Sequence, residues 1–274
     1  MLGVVFFSAL NDTLMRFGGE QLAASQVTFM RFFITLITIT PFVLIKKGCL
    51  KTSQPGLHVW RALIGTVAIV CGYFAVQHLP LSSVTTLFFV QPLFFLPLAH
   101  LFLREHIGIS RISATLLGFV GVVVTGYTPE TGWLLTPYMF YPLAGALLFA
   151  VVDLLTKRMV DKETPEALLF YFALGSTIIT AFGALGNWQW PTAFEWFVLI
   201  SLGISANLIQ LCLYYAFKAT EASLLSPFKY TELLFSSLLG FVFFGEVPAL
   251  HVMMGAALII LSTYYVSRND PLLA

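Results

Sequence analysis

The chain has 274 residues, of which 58% are hydrophobic and only 10% are charged, and its formal net charge is +1. A mean hydropathy of +0.90 excludes a water-soluble globule, because too little polar surface is available to cover one. The near-neutral charge also excludes the basic surface that nucleic-acid binding requires. The sequence therefore predicts an all-α integral membrane protein that contacts the lipid bilayer and has no nucleic-acid partner.

Apolar windows long enough to cross a bilayer recur along the whole chain, separated by short runs of turn residues and charges. None of the connections is long enough to hold a soluble domain. The first window begins at Met1 without a basic leader or a cleavage site, so we expect it to be retained. Ten transmembrane helices are predicted, at about residues 1–17, 25–45, 58–78, 82–103, 109–127, 137–157, 165–186, 193–216, 221–244 and 248–267.

Basic residues are concentrated in alternate connections between the predicted helices. Only Arg16 flanks a connection on the opposite side, whereas Arg31 and Lys229 lie inside predicted helices. Because basic loops remain in the cytoplasm, both termini are predicted to be cytoplasmic. The basic residues assigned to the cytoplasmic side are Lys46, Lys47, Lys51, Arg61, Arg104, Arg111, Lys157, Arg158, Lys162, Lys218 and Arg268.

The second half of the chain repeats the first with an offset of 140 to 142 residues. Five helices per half is an odd number, so the two halves must have opposite orientations, as in the inverted repeats of secondary carriers. The predicted division is a first repeat at 1–127, an outer connecting loop at 128–136 and a second repeat at 137–274. Aligned pairs include Phe7–Asn11 with Phe149–Asp153, Gln26–Phe32 with Glu166–Phe172, and Gln91 with Glu232.

The stretch Ser226–Glu232 places a proline and two full charges inside the ninth predicted helix. A charge at the bilayer centre costs about 2.5–3.5 kcal/mol, so Lys229 and Glu232 should face other helices or a wet cavity. They lie three residues apart on nearly the same face, so mutual neutralisation within the bundle is one interpretation. The other is a solute site near mid-membrane, with Pro227 loosening the backbone beside it.

Further polar side chains inside the predicted helices are candidates for the same solute site. Asp12 and Arg31 have matching depths in the first two helices, which predicts either a structural ion pair or a part of the solute path. Gln91 is neutral and can remain buried with hydrogen bonds alone. Tyrosines are candidates for stacking on a flat or cationic solute. The complete set of candidates is Asn11, Asp12, Arg31, Tyr73, Gln91, Asn207, Gln210, Lys229, Tyr230 and Glu232.

Other charged residues have simpler interpretations. Asp153 lies four residues before Lys157, and an ordinary pair on one helix face accounts for both. Glu105 and Glu246 lie at helix ends, where solvation at the interface accounts for them. The chain contains no nucleophile motif, nucleotide-binding loop or clustered histidines, so no enzyme activity, cofactor or metal site is predicted.

Several stretches together carry a family resemblance: Asn11-Asp12, Arg31-Phe32-Phe33, Asp153 with Lys157-Arg158, and Pro227 to Leu233. With ten predicted helices in two inverted halves, the chain resembles the drug/metabolite transporter superfamily in its EamA-type branch. Within this branch it is most similar to bacterial S-adenosylmethionine uptake carriers. The resemblance implies a multi-pass carrier of the bacterial inner membrane that takes up this solute in exchange for S-adenosylhomocysteine.

The same resemblance suggests roles for individual candidates. Glu232 or Asp12 would meet a cationic group of the solute, Lys229 or Arg31 its carboxylate, and Tyr230 or Tyr73 the adenine face. Three alternatives stay open. They are an exporter of amino acids or related metabolites, a membrane protein that only binds or assembles, and an integral-membrane enzyme.

Overall fold

The structure is a computed structural model that describes residues 1–18, 22–46, 48–79, 81–125, 136–184, 186, 188–245 and 247–270. Within these ranges all regular secondary structure is helical. The α-helices are α1 Leu2–Gly18, α2 Ala24–Ile45, α3 Pro55–His78, α4 Leu81–Phe88, α5 Gln91–Leu98, α6 Ile109–Thr125, α7 Phe140–Met159, α8 Pro165–Ala184, α9 Ala193–Ala219, α10 Ala222–Leu225, α11 Glu232–Phe244 and α12 Leu250–Asn269. A π-helical turn, Ala99–Leu103, continues α5, and 3-10 helices occupy Pro137–Met139 and Pro227–Thr231.

Seven stretches of the described chain are long and apolar enough to cross a membrane. Two shorter apolar helices, Leu2–Met15 and Ile109–Thr125, accompany them. The described chain is therefore that of an all-helical, multi-pass membrane protein, and the arrangement as ten helices in two inverted repeats stays a prediction. The seven stretches are Ala24–Ile45, Pro55–Gly72, Val84–Leu103, Pro137–Met159, Pro165–Ala184, Ala193–Ala219 and Leu250–Asn269.

Several helix ends follow directly from single residues. Pro55 and Pro165 begin α3 and α8, where a missing N–H is tolerated because first-turn N–H groups have no partner within the helix. Gly245 ends α11 with φ 68°, the left-handed conformation that glycine adopts without a steric penalty. Arg104 ends the π-helical turn with φ 58°, and Glu105 follows it directly.

The chain forms two compact units. Unit 1 comprises Met1–Leu2, Val67–Leu154 and Ala219–Ala274, and unit 2 comprises Gly3–Thr66 and Leu155–Lys218. Each unit contains residues from both predicted repeats, so this division reflects packing and leaves the predicted repeat boundaries untested.

Unit 2 is built around α2, which packs along α8 and against α9. Met30 and Ile34 of α2 join Leu199 and Leu202 of α9 in one buried apolar cluster. Gly203 permits this approach, since a Cβ there would lie 2.8 Å from Cβ of Ile34. Close contact through small residues is the usual way in which helices associate in a membrane.

Unit 1 is built around the pair α6 and α12. These helices cross closely at Gly121, where a Cβ would lie 2.8 Å from the Gly255 carbonyl oxygen. Ser262 of α12 donates to the Ala114 carbonyl at 2.6 Å, which adds a polar link between the same two helices. The 3-10 helix Pro227–Thr231, which carries Lys229, packs against both α6 and α12.

Candidate functional site

Two of the predicted transmembrane helices are interrupted, and both interruptions lie in unit 1. α4 ends at Phe88, and α5 begins at Gln91 with Pro92 in its first turn. The ninth predicted helix is divided more widely, because the 3-10 helix Pro227–Thr231 separates α10 from α11. Interrupted helices in corresponding positions of two halves are the usual location of solute sites in carriers, since helix ends supply polar groups there.

Asp153 of α7 brings the two interruptions together. Its Oδ2 accepts a hydrogen bond from the Lys229 ammonium, and the two residues form an ion pair. The same oxygen accepts a hydrogen bond from Nε2 of Gln91 at 2.9 Å. The side chains of Lys229 and Asp153 are only 19% and 9% exposed, respectively. A carboxylate, an ammonium and an amide therefore meet within unit 1, and we call Gln91, Asp153 and Lys229 the Asp153 cluster.

Tyr230 and Glu232 are close neighbours of Lys229 in sequence but have different surroundings. The Tyr230 ring is fully buried beside Ile259, and its centroid lies 6.2 Å from that of Phe89. Its hydroxyl is buried and has no hydrogen-bond partner among the described residues. Tyr230 thus anchors the 3-10 helix in the apolar core of unit 1. Glu232 is half-buried at the first position of α11.

Asn11 and Asn207 join helices within unit 2. Nδ2 of Asn11 donates to Oγ of Ser205 at 2.7 Å, which links α1 to α9. Nδ2 of Asn207 donates to Oγ1 of Thr38 at 2.7 Å and to the Thr35 carbonyl at 3.0 Å, which links α9 to α2. Oδ1 of Asn207 is buried without a hydrogen-bond partner among the described residues. Hydrogen bonds between helices thus account for both amide nitrogens, and the Asn207 oxygen remains a candidate for solute contact.

Gln210 belongs to a network around Arg61 in unit 2. Its Oε1 accepts from Nη2 of Arg61 at 2.7 Å. The same guanidinium donates to Thr156 at 2.8 Å and to the Leu168 carbonyl at 2.9 Å, and lies 4.5 Å from the Phe172 ring centroid. Arg61 is 1% exposed and therefore lies buried near the beginning of α3. It lies one and a half turns into α3, where four contacts compensate for the loss of water.

The outer candidates Asp12 and Arg31 both belong to unit 2. The two side chains interact electrostatically, Asp12 being exposed and Arg31 half-buried. The backbone of Tyr73 continues α3, but its side chain lies outside the described part of the chain, as does the whole of Glu246. Asp12 and Arg31 are thus close enough to interact, whereas the predicted role of Tyr73 stays a prediction.

Asp153 is the functional candidate that pattern reading missed. Its predicted pairing with Lys157 is wrong as the explanation of its charge, because Asp153 forms its ion pair with Lys229, 76 residues away. Lys157 donates to the Phe217 carbonyl at 2.5 Å. A signal for Asp153 is present in the internal repeat, where it aligns with the candidate Asn11. Extending each candidate to its repeat equivalent identifies it.

The Asp153 cluster combines both signs of charge with a neutral amide. Among the described residues no group of three His, Cys, Asp or Glu side chains could hold a metal ion, and the three cysteines are free thiols. A carboxylate beside an ammonium offers charge-assisted hydrogen bonds to a ligand that carries both signs of charge. The neighbouring Gln91 amide adds a neutral donor.

A helical membrane chain in which interrupted helices carry a partly buried ion pair has the features of a polytopic solute carrier. The model of the EamA-like transporter family matches residues 1–127 and 136–268. The chain belongs to this family, and the resemblance predicted from the sequence is confirmed.

Relatives share the family but differ in solute. The chain is 34% identical over 264 residues to the S-adenosylmethionine uptake transporter of Rickettsia bellii, covering 96% of this chain and 90% of the relative. It is 28% identical over 251 residues to the riboflavin transporter of Vibrio cholerae, covering 90% and 84%, respectively. The fold is also that of a solved crystal structure, with a TM-score of 0.85 at 18% identity over 97% of this chain and 94% of the other.

Proposed function

We propose that this protein is a secondary carrier that takes up S-adenosylmethionine across the bacterial inner membrane by alternating access. The observation that carries the proposal is the Asp153 cluster, a largely buried ion pair with an amide at two interrupted helices. The named function of the Rickettsia relatives supports the choice of solute. Exchange for S-adenosylhomocysteine belongs to the proposal, because that compound keeps the amino-acid group and the adenine.

A zwitterion can replace an ion pair without leaving either charge unpaired. In the proposed bound state, the solute ammonium occupies the place of Lys229 at the Asp153 carboxylate. The solute carboxylate then binds the Lys229 ammonium. Removing one partner of a buried pair costs about 3–5 kcal/mol, a cost that this replacement avoids. A simple cation or anion leaves one side chain uncompensated, so the cluster favours amino-acid groups.

The other candidate residues keep their predicted roles within this proposal. The sulfonium cation requires a further acidic or aromatic partner, and the adenine ring requires a flat apolar one. The proposed partners are Asp12 and Glu232 for the sulfonium, Arg31 for the carboxylate, Tyr73 for the adenine, and Asn11, Asn207 and Gln210 for hydrogen bonds. Tyr230 is the exception, because its ring is fully buried and anchors the 3-10 helix.

The proposed architecture is ten helices in two inverted repeats with both termini in the cytoplasm. Packing within each unit supports the repeat, because helices in equivalent positions lie against each other. In unit 2, α2 packs along α8, and these helices contain the aligned stretches Gln26–Phe32 and Glu166–Phe172. In unit 1, α6 packs along α12, and these contain the last predicted helix of each half.

The test is uptake of labelled S-adenosylmethionine into proteoliposomes that contain the purified protein. One set of vesicles is loaded with S-adenosylhomocysteine and the other is not, and protein-free vesicles serve as the control. Faster uptake into the loaded vesicles is the expected result. Because riboflavin is flat but carries no amino-acid group, unlabelled riboflavin should compete poorly for uptake.

Other outcomes identify other functions. Uptake of riboflavin in place of S-adenosylmethionine would refute the proposed solute and favour the function named for the Vibrio relative. Transport of amino acids alone would support the exporter alternative, with efflux from loaded vesicles as the assay. A protein whose unfolding temperature no zwitterion or cation raises would be a binding or assembly protein of another kind.

A further inference from the structure

A second group of charged residues in unit 1 holds the beginning of α10. The Glu105 carboxylate accepts hydrogen bonds from the backbone N–H groups of Ala222 and Ser223, both at 2.8 Å. These are first-turn N–H groups, which have no partner within a helix. The cap residue Glu221 makes no side-chain capping bond. Glu105, 7% exposed, therefore caps α10 from a distant part of the sequence, and its predicted solvation at the interface is wrong.

Arg111 holds the residues on both sides of the same helix start. Its Nε donates to Oδ2 of Asp270 at 2.6 Å, and its Nη1 donates to Oγ of Ser223 at 2.7 Å. Arg111 also forms an ion pair with Glu221. Arg111 and Asp270 are buried, at 3% and 1% exposed, whereas the Glu221 side chain is 36% exposed. We call Glu105, Arg111, Glu221 and Asp270 the α10 clamp.

Hydrogen bonds connect the α10 clamp to the Asp153 cluster in steps of three residues. The Ser223 carbonyl accepts from the backbone N–H of Ser226 at 3.3 Å. The Ser226 carbonyl accepts from the backbone N–H of Lys229 at 3.2 Å. The Lys229 ammonium then pairs with Asp153. Hydrogen bonds thus lead from the Glu105 carboxylate along the backbone to Lys229, whose ammonium pairs with Asp153.

A helix as short as α10 needs such external support. Ala222–Leu225 is a single turn, and forming one turn fixes several dihedral angles for one hydrogen bond, which is unfavourable in isolation. Pro227 contributes no N–H to continue the ladder. The segment therefore depends on its two ends, the α10 clamp on one side and the buried Tyr230 ring on the other.

We infer that Glu105 and Arg111 are positioning residues for the solute site. They fix the beginning of α10, and through the hydrogen-bonded steps they fix the Lys229 ammonium against Asp153. This inference rests on the proposed function, in which Lys229 binds the solute carboxylate. Neither residue contacts the solute; each acts through the segment 222–232.

The test compares Glu105→Ala with the wild type by hydrogen–deuterium exchange and by uptake. Removing the carboxylate leaves two backbone N–H groups without an acceptor, so exchange should accelerate about tenfold or more along residues 222–231. In uptake, KM should rise about tenfold while the maximal rate changes little, since the chemistry of the cluster is intact. Asp161→Ala, which removes an exposed acidic residue, is the matched control and should behave like the wild type.

Glu105→Gln decides the question if the alanine variant does not accumulate in the membrane. Its amide keeps one oxygen acceptor. The rate of hydrogen–deuterium exchange and the KM of uptake should therefore lie between those of the wild type and those expected for Glu105→Ala. Acceleration confined to Ala222 and Ser223, with Lys229–Thr231 at wild-type rates, overturns the positioning role and leaves a local cap. If the wild-type protein does not transport S-adenosylmethionine, only the proposed function is refuted. Hydrogen–deuterium exchange along residues 222–231 still tests the role of the α10 clamp.

Discussion

Asp153 and Lys229 carry opposite charges in an environment where either charge alone is costly. Their side chains are largely buried, and the Gln91 amide contacts the same carboxylate oxygen. In such a setting the pair is weak evidence for stability, but each member is essential to the other. Stability therefore depends on keeping the two charges together rather than on either residue alone.

Asp153→Asn and Lys229→Met should each lower stability by about 3–5 kcal/mol, because each leaves its partner as an uncompensated buried charge. The double variant should be closer to the wild type in its thermal unfolding midpoint, since neither charge remains. All three variants should lose uptake, because the zwitterion then lacks one or both partners. Lys51→Met, which removes an exposed lysine, should change neither quantity. A double variant as unstable as the two single effects added together would contradict this account.

At the scale of the element, the interruption of the ninth predicted helix depends on Pro227. Proline in a helix interior costs about 3 kcal/mol relative to alanine, so the break is a feature retained at the expense of helix stability. Because the break brings Lys229 to Asp153 in a 3-10 turn, a continuous α-helix would turn the ammonium to a different direction.

Pro227→Ala should therefore reduce uptake by about tenfold or more and lower the unfolding midpoint, because separating Lys229 from Asp153 leaves two largely buried charges uncompensated. The added N–H allows α10 to continue as an α-helix, which moves Lys229 away from Asp153. Pro41→Ala is the control, because Pro41 is exposed inside the continuous helix α2. If uptake by the Pro227 variant equals that of the wild type, the interruption has no part in transport.

Much of this element was predictable and its partners were not. A proline and two charges within about 20 apolar residues predict an interrupted helix whose charged side chains face the interior of the bundle. The partner of Lys229 was not identified, because Asp153 lies 76 residues away and Lys157 offers a nearer, ordinary pair. Glu105 was assigned to the interface because it lies at a helix end, and its partners are more than 100 residues away in sequence. Only the fold shows that the N–H groups of Ala222 and Ser223 approach its carboxylate.

At the scale of the whole molecule, hydropathy predicted the class and the helical content, because a bilayer leaves a chain few other solutions. The family resemblance came from particular stretches such as Asn11-Asp12 and Pro227 to Leu233. The two compact units were not predicted. Each combines residues from both halves, and that grouping depends on close contacts such as Gly121 against Gly255 and Gly203 against Ile34. Contacts of this kind are set by side-chain shape across distant helices, which a hydropathy profile does not contain.

The proposed topology makes a prediction about the two faces of the membrane. Asp161 lies in a connection assigned to the cytoplasm, and Gly186 lies just beyond α8, at the end of the predicted helix 165–186 that is assigned to the outside. In a variant without native cysteines, Gly186→Cys should react with an impermeant maleimide on intact cells. Asp161→Cys should react only after the cells are permeabilised. Gly186 has open space around its Cβ position, so the substitution is sterically neutral. The reverse pattern of labelling would invert the assigned orientation.

The paired charges of the Asp153 cluster have an electrical consequence. Because the carboxylate and the ammonium cancel, the cluster itself contributes no net charge to the path. S-adenosylmethionine carries one net positive charge, and S-adenosylhomocysteine carries none. Each exchange cycle would move one charge inward, and a potential of 100 mV, negative inside, contributes about 2.3 kcal/mol. With S-adenosylhomocysteine at equal concentration on both sides, the proposed exchange would accumulate S-adenosylmethionine about fiftyfold without ATP.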